Sequence, residues 1–239
     1  MIFVVLSFNK TRLTTACLES CLECGIGAKD ILWVDNGSEE RHWIRIRESY
    51  PSLPMLRLEK NGGYGYGANQ GLRAAFRSSP DALFLSNDCV LSEDPRPALH
   101  RFLRDRRVDM LAPAVHFVRD RTRLDSCGGS WDPPSNTLSH YRNMPEKPRR
   151  LAFPEYIPGS CYYVTRNLFE GLNGFDESFF AYWEDVDLSV RAHRAGYHLW
   201  AHPGIHVLHH GRGTTGKNRH YTKELFERNR ERFRQKYAV

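Results

Sequence analysis

Short apolar runs alternate with amphipathic stretches through the first hundred residues. Ile2 to Phe8, Ile31 to Val34, Met55 to Leu58 and Ala82 to Leu85 are nearly continuous apolar segments of strand length. Between them the sequence has helical character from Thr11 to Cys24, near Glu39 to Ser49 and from Ala68 to Phe76. Strands that read as unbroken apolar runs are buried on both faces, so an α/β fold with a mostly parallel central sheet flanked by helices is expected. On the first helix Leu13, Cys17, Cys21 and Cys24 recur on one face, with Thr11 placed as N-cap and Gly25 as the stop. From about Asp109 to Pro158 one strand is followed by irregular sequence rich in Gly, Pro, Asn and Ser, including the basic stretch Pro145 to Arg150. Long loops of this kind commonly carry function. His220 to Tyr237 reads as a charged helix, and no internal repeat is evident.

A chain of 239 residues with 41% hydrophobic residues fits one globular domain, taken here as 1–239. The apolar run that opens it is too short and wrongly flanked for a signal peptide or a membrane span, so a buried strand of a cytoplasmic protein is expected. Cys17, Cys21, Cys24, Cys89, Cys127 and Cys161 make no disulfide framework, and no second Cys/His cluster completes a tetrahedral site for the three on the first helix. They read as reduced packing residues. The net charge of +6 is concentrated toward the end, where Arg228, Arg230, Arg232, Arg234 and Lys236 follow one another closely. Such a segment suits anionic partners, whether diphosphate, lipid headgroup or nucleic acid, and equally suits a solvated basic helix.

In a sheet of this type the ligand crevice lies beyond the carboxyl ends of the strands, which draws attention to the polar residues there: Ser7 and Asn9, Asp35 and Asn36, Asn61, and Asn87 and Asp88. Three constellations follow. The run Asn61 to Gly71 carries glycines that permit close backbone approach to a ligand and amides that can open a helix toward phosphate. Its spacing fails the dinucleotide fingerprint, because Gln70 or Ala68 stands where the third glycine belongs. Leu85-Ser86-Asn87-Asp88 ends a strand with a carboxylate able to hold a hard divalent cation, although an Asp there is ordinarily a turn residue. The stretch Gly174 to Leu188 sets Tyr182 and Trp183 beside Glu184 and Asp185, a combination that suits a sugar site: ring faces stack on the apolar side of a pyranose and a carboxylate accepts a hydroxyl proton. Some of these acids answer to a helix N-terminus instead, Asp187 among them.

Together with Val5 to Asn9, Val34 to Ser38, Val207-Leu208-His209-His210-Gly211 and Asn229 to Phe233, these segments resemble, in order and spacing, a family 2 glycosyltransferase of the GT-A fold, in the style of bacterial rhamnosyltransferases. The resemblance covers nearly the whole length. It implies a nucleotide-sugar-binding half (1–105), an acceptor and catalytic half (106–211) and a basic helical extension (212–239). It further implies an inverting transfer from a UDP- or dTDP-sugar to a hydroxyl of a glycan, glycolipid or other glycoconjugate. By the same resemblance Ser7, Asp35, Asn61, Asn69, Ser86 and Asn87 line the donor site, with Asp35 accepting from a pyrimidine N–H. Asp88 and His209 hold Mn²⁺ or Mg²⁺, with His210 a second candidate. Asp185 is the general base, ionised near the ordinary Asp value of about 3.9, and Glu184 positions it or the acceptor. Gly159, Tyr182 and Trp183 shape the sugar and acceptor subsites. Ser86 departs from the family pattern, since it stands where the first Asp of the Asp-x-Asp metal motif belongs.

Three rivals compete. A non-catalytic sugar-nucleotide or glycan-binding protein on the same fold needs neither base nor metal. A nucleic-acid-binding protein would show steep salt dependence toward polynucleotides, whereas no specific nucleic-acid partner is expected here. Nucleotidyl transfer would require a basic phosphate-binding signature after the first strand, and Ser7-Phe8-Asn9-Lys10 does not supply one. The basic end together with the family's habits makes a lipid-linked acceptor and peripheral contact with the inner membrane face the expected setting.

Overall fold

The computed structural model describes residues 1–142, 154–211 and 219–238; the basic stretch at 145–150 lies outside them. The first half runs β1 (Ile2–Ser7), α1 (Thr11–Glu23), β2 (Ile31–Asp35), α2 (Glu40–Ser49), β3 (Met55–Arg57), α3 (Tyr64–Ala75) and β4 (Asp81–Ser86). Then come β5 (Cys89–Leu91), α4 (Arg96–Leu103), β6 (Met110–Phe117), β7 (Asp120–Ser126), β8 (Gly129–Asp132) and β9 (Thr137–His140). The chain closes with β10 (Cys161–Thr165), α5 (Arg166–Gly171), α6 (Glu184–Arg194), β11 (Leu199–His209) and α7 (Arg219–Tyr237).

The main sheet has the order β3-β2-β1-β4-β10-β6-β11-β5, with β7 paired to β6. The strands from β3 to β4 are mutually parallel. Beyond them the sheet is mixed: β10 is antiparallel to both its neighbours, while β11 is parallel to β6 and antiparallel to β5. Side chains alternate across the sheet, as strand geometry requires. Phe3, Val5, Trp33 and Leu85 pack with Cys17, Leu18 and Cys21 on one face, and Val4, Leu6, Val34 and Phe84 pack with Ala68, Leu72 and Leu188 on the other. All six cysteines are free, and five of them are buried.

Two local expectations are corrected. The N-cap of α1 is Lys10 rather than Thr11: Asn9 and Lys10 both take left-handed conformations to turn the chain from strand to helix, and Thr11 Oγ1 meets His42 Nδ1 at 2.6 Å. The irregular-looking region after β6 contains further strands, since β7 extends the sheet edge and β8 and β9 form their own antiparallel ribbon. Their residues are short, charged or polar because most of β7 and β9 faces solvent, so no apolar run announces them.

Two glycines of the Asn61 to Gly71 run are required by packing within the chain. A Cβ at Gly67 would lie 2.7 Å from Leu6 Cδ1, so its absence lets α3 settle on β1. Gly63 precedes α3 at φ +94°, and a Cβ there would collide with the Phe180 carbonyl, which accepts the Tyr64 N–H at 2.7 Å. That first helical amide is thus closed by the chain itself. Gly63→Ala combines a forbidden φ with a backbone clash and is expected to destabilise the fold by about 2 kcal/mol or more, measurable as a lowered urea midpoint at unchanged slope.

Candidate active site

Strand register assembles the candidate donor-site residues. Ser7 stands opposite Asp35 across β1 and β2, and Ser86 closes β4 alongside Leu6. The Ser7 hydroxyl donates to the Val34 carbonyl (3.4 Å) and accepts from Trp33 Nε1 (2.8 Å), while Trp33 stacks on Trp43 and Arg57 lies over Trp43. Asp35 Oδ2 accepts from the Ser38 N–H at 3.2 Å, with Arg57 Nε 3.8 Å away. Burial nevertheless lifts its carboxyl above the usual range, the Ser38 and Arg57 contacts opposing only in part. Asn61 Oδ1 accepts from Asn36 Nδ2 (3.1 Å) and from the Gly63 N–H (3.0 Å), which fixes the turn before α3. Asn87 Nδ2 donates to Thr14 Oγ1 on α1 at 2.9 Å. Asn69 is committed elsewhere. Its amide donates to the Phe175 carbonyl and to Glu177 and accepts the Phe175 N–H, tying α3 to the segment before Glu184 and Asp185.

The metal-ligand candidates meet at the ends of β4 and β11. β11 pairs with β5 so that His209 stands opposite Cys89, and this brings its Nε2 within 3.2 Å of Asp88 Oδ1. The Ser86 hydroxyl donates to the same Oδ1 at 2.8 Å, so the residue that replaces the motif's first acid orients the second. His210 contributes its backbone, donating N–H to the Asp88 carbonyl. On the far side of the ring, His209 Nδ1 is 2.9 Å from Asp125 Oδ2. Burial works against an imidazolium here, but the two flanking carboxylates overcome it and lift His209 to about 9. Burial likewise works against charge on Asp88 and Asp125, and His209 holds both below the usual carboxylate range.

Asp125 has no motif to mark it. β7 advances two residues, Ser126 to Leu124, where β6 advances one, Val115 to His116, and Asp125 is the extra residue of this bulge. Bulges re-aim side chains, and this one sends a carboxylate from a charged edge strand onto the histidine. A carboxylate behind a ligating histidine fixes the ring and leaves the other nitrogen to the ion. Oxygen and imidazole donors suit Mn²⁺, and Mg²⁺ through the oxygens. Cys89 lies near both; it is fully buried, gives its S–H to the Ser160 carbonyl at 3.1 Å, and burial pushes its thiol well up. Asp125→Asn is expected to weaken Mn²⁺ binding about 10- to 100-fold in calorimetric titration, with the fold retained.

Glu184 and Asp185, the candidate catalytic acids, open α6. Tyr182 and Trp183 both have positive φ, 69° and 75°, and Trp183 is the N-cap residue. Asp185 follows, its Oδ2 accepting from the Gly159 N–H and its Oδ1 from the Val186 N–H, each at 2.9 Å. Those bonds favour the charge, but burial outweighs them and raises Asp185 above the ordinary value expected from sequence. Glu184 is more deeply affected: burial, and after it the Asp185 charge, push its carboxyl well up. The Gly159-Ser160 turn joins the two ends of the site. The Gly159 carbonyl accepts from Tyr64 Oη at 2.5 Å and the Ser160 carbonyl accepts the Ser86 N–H at 2.9 Å. His140, at the end of β9, acts electrostatically on both Asp125 and Asp185 and is marked by no sequence motif, whereas Tyr64 lies within the Asn61 to Gly71 run. Trp183 turns away from the cleft side: it is 1% exposed and packs with Phe226 and Phe233 beneath α7, whereas Tyr182 stays partly exposed. Asp187 does more than answer the helix dipole, being fully buried and held by Arg191 (2.8 Å), Lys236 (2.6 Å) and Tyr237 Oη (2.8 Å).

The sequence profile described as Glycosyltransferase like family 2 matches residues 1–238. The chain belongs to this family. The glycosyltransferase is 28% identical over 211 residues to the N-acetylglucosaminyl-diphospho-decaprenol L-rhamnosyltransferase of Mycobacterium tuberculosis, covering 79% of this chain and 68% of the relative. It is 23% identical to the rhamnosyltransferase WbbL of Escherichia coli K12, over 73% of this chain and 75% of that one. Among solved structures it resembles GalNAc-T7 with UDP, GalNAc and Mn²⁺ (TM-score 0.71, 15% identity, 87% of this chain and 43% of that chain). It also resembles the mannosyltransferase PcManGT of Pyrobaculum calidifontis with GDP-Man and Mn²⁺ (TM-score 0.58, 17% identity, 89% and 57%). The glycosyltransferase thus spans less than two thirds of those solved chains, and at such identities the likeness speaks for the GT-A fold. Among the described residues of this glycosyltransferase no helix is long and apolar enough to cross a membrane.

Proposed function

We propose that the chain is an inverting glycosyltransferase that moves a sugar from a UDP- or dTDP-sugar to a hydroxyl of a glycan or lipid-linked acceptor. The observation that carries this reading is the partly buried Asp185 carboxylate, oriented by the Gly159 and Val186 amides and joined through the Gly159-Ser160 turn to the Asp88–His209 pair. A base and a diphosphate-facing ion site on one cleft are what a single displacement requires. In that step Asp185 takes the proton of the acceptor hydroxyl as its oxygen bonds to the anomeric carbon. The bond from that carbon to the diphosphate oxygen breaks on the opposite face, which inverts the centre. A divalent ion held by Asp88 and His209 would supply charge to stabilise the departing diphosphate. Asp35 and Asn61 would face the nucleobase and ribose, with Ser7 and Trp33 framing them, and Asn69 and Trp183 would act by support.

Burial raises the Asp185 carboxyl above the ordinary carboxylate range, which makes it a stronger base than a solvated carboxylate. Because two relatives are rhamnosyltransferases by name, one of them named for a decaprenol-linked substrate, dTDP-L-rhamnose and a polyprenyl-diphosphate sugar are the first pair to try. Such an acceptor would bring the chain to the cytoplasmic membrane face as a peripheral protein. Thermal shift with UDP, dTDP and GDP, each with and without Mn²⁺, tests the donor site. UDP or dTDP is expected to raise the melting temperature only with Mn²⁺ present. No shift from any nucleoside diphosphate in either condition would remove the donor site and favour a glycan-binding role.

A further inference from the structure

The proposed base depends on a backbone that does not hold itself. Tyr182 and Trp183 are consecutive non-glycine residues in the left-handed region, a conformation that persists only where the surroundings over-determine it. They lie directly before Glu184 and Asp185, so any relaxation of this pair rotates the first turn of α6 and carries the Asp185 carboxyl with it.

What restrains the pair is α7. Asn229 is fully buried, and its Nδ2 donates to the Ala181 carbonyl at 2.7 Å and to the Tyr182 carbonyl at 3.2 Å. Both amide hydrogens are thereby spent on the strained segment, and the two carbonyls fix which way the amide faces. Around this point Phe226 and Phe233 pack on the Trp183 ring, Arg232 donates to the Ser178 carbonyl, and Lys236 and Tyr237 bind Asp187 one turn into α6. Helix α7 grips the loop and the helix on both sides of the acids, and Asn229 is the member that touches the strained peptide groups themselves.

We infer that Asn229 is a positioning residue, which sets the Asp185 carboxylate by clamping the Ala181-Tyr182 peptide groups. The inference rests on the reading of Asp185 as base for its importance to turnover, but not for its test. An Asp at 229 presents a carboxylate to two carbonyls and cannot donate both bonds, and an Ala donates none.

The experiment is amide hydrogen exchange on the whole chain, followed at Gly159 and Val186, whose N–H groups report where the Asp185 carboxylate sits. Wild type, Asn229→Ala, Asn229→Asp and, as a packing control on the same helix, Leu225→Ala are compared below their melting transitions. Exchange at both amides is expected to rise about ten-fold in the two Asn229 variants and to stay near wild type in Leu225→Ala. With the nucleotide sugar that wild type turns over, kcat falls about 10- to 100-fold in Asn229→Ala at unchanged donor KM, the scale expected for a base displaced by about 1 Å. If both amides keep their protection in Asn229→Ala while only the melting temperature drops, Asn229 merely packs and the inference fails. Should Asn229→Ala itself not fold, Asn229→Asp decides on the same criterion. Full turnover by Asp185→Asn would instead remove the base assignment and leave the exchange result standing.

Discussion

Asp185→Asn is expected to lower kcat by about 10²- to 10⁴-fold while leaving Mn²⁺-dependent binding of UDP or dTDP at its wild-type level. Asn keeps the shape of the carboxyl group and one acceptor oxygen for the Gly159 or Val186 amide, so the cleft stays assembled while the group that takes the acceptor proton is lost. The pH dependence follows from the same environment. Burial raises the Asp185 carboxyl, so the acid limb of kcat is expected above the usual carboxylate range near 3.9, with activity rising as pH increases through it. The sign for stability is opposite. A carboxyl whose folded pKa is raised favours the fold at low pH, and this contribution is lost as pH climbs from the unfolded value through the folded one. The limb should disappear in Asp185→Asn; a limb that survives unchanged would assign it to another group.

Asp88→Ala strikes the other end of the reaction. It removes the carboxylate that faces His209 Nε2 at 3.2 Å, and with it the oxygen ligand of the proposed ion site. Turnover is expected to fall by about 10²- to 10³-fold, the range seen when one electrostatic stabiliser of a developing anion is deleted. The thermal shift from UDP or dTDP with Mn²⁺ should vanish in this variant and persist in Asp185→Asn. That contrast separates leaving-group stabilisation from proton transfer in one pair of proteins. A full Mn²⁺-dependent shift in Asp88→Ala would move the ion to other ligands.

Much of the parallel half was legible because its strands are buried on both faces and therefore spell themselves out as apolar runs. Ser7, Asp35 and Ser86 could be located the same way, since each is the polar residue on which such a run ends. Asp125 was not legible. It owes its position to a one-residue bulge in a charged edge strand, and the pattern Asp-Arg-Thr-Arg-Leu-Asp says nothing about register. The state of Asp185 was hidden for a different reason: a reference pKa describes a solvated carboxyl, and burial beneath the α6 turn is a property of the packing. The glycines after Asn61 illustrate a third limit. Close approach was correctly read from them, but what approaches is β1 and the Phe180 backbone of the same chain. Trp183 shows the same ambiguity, as an aromatic beside the candidate acids that proves to be core under α7.

The ties from α7 to the turn before α6 give synthesis an order. Every strand of the main sheet is complete once His209 has been made, whereas Asn229, Lys236 and Tyr237 reach back across 47 to 60 positions to Tyr182, Asp187 and Asp176. A nascent chain can therefore build its main sheet on the ribosome before the turn ahead of Asp185 is restrained, and that turn gains its ties only when α7 emerges and docks.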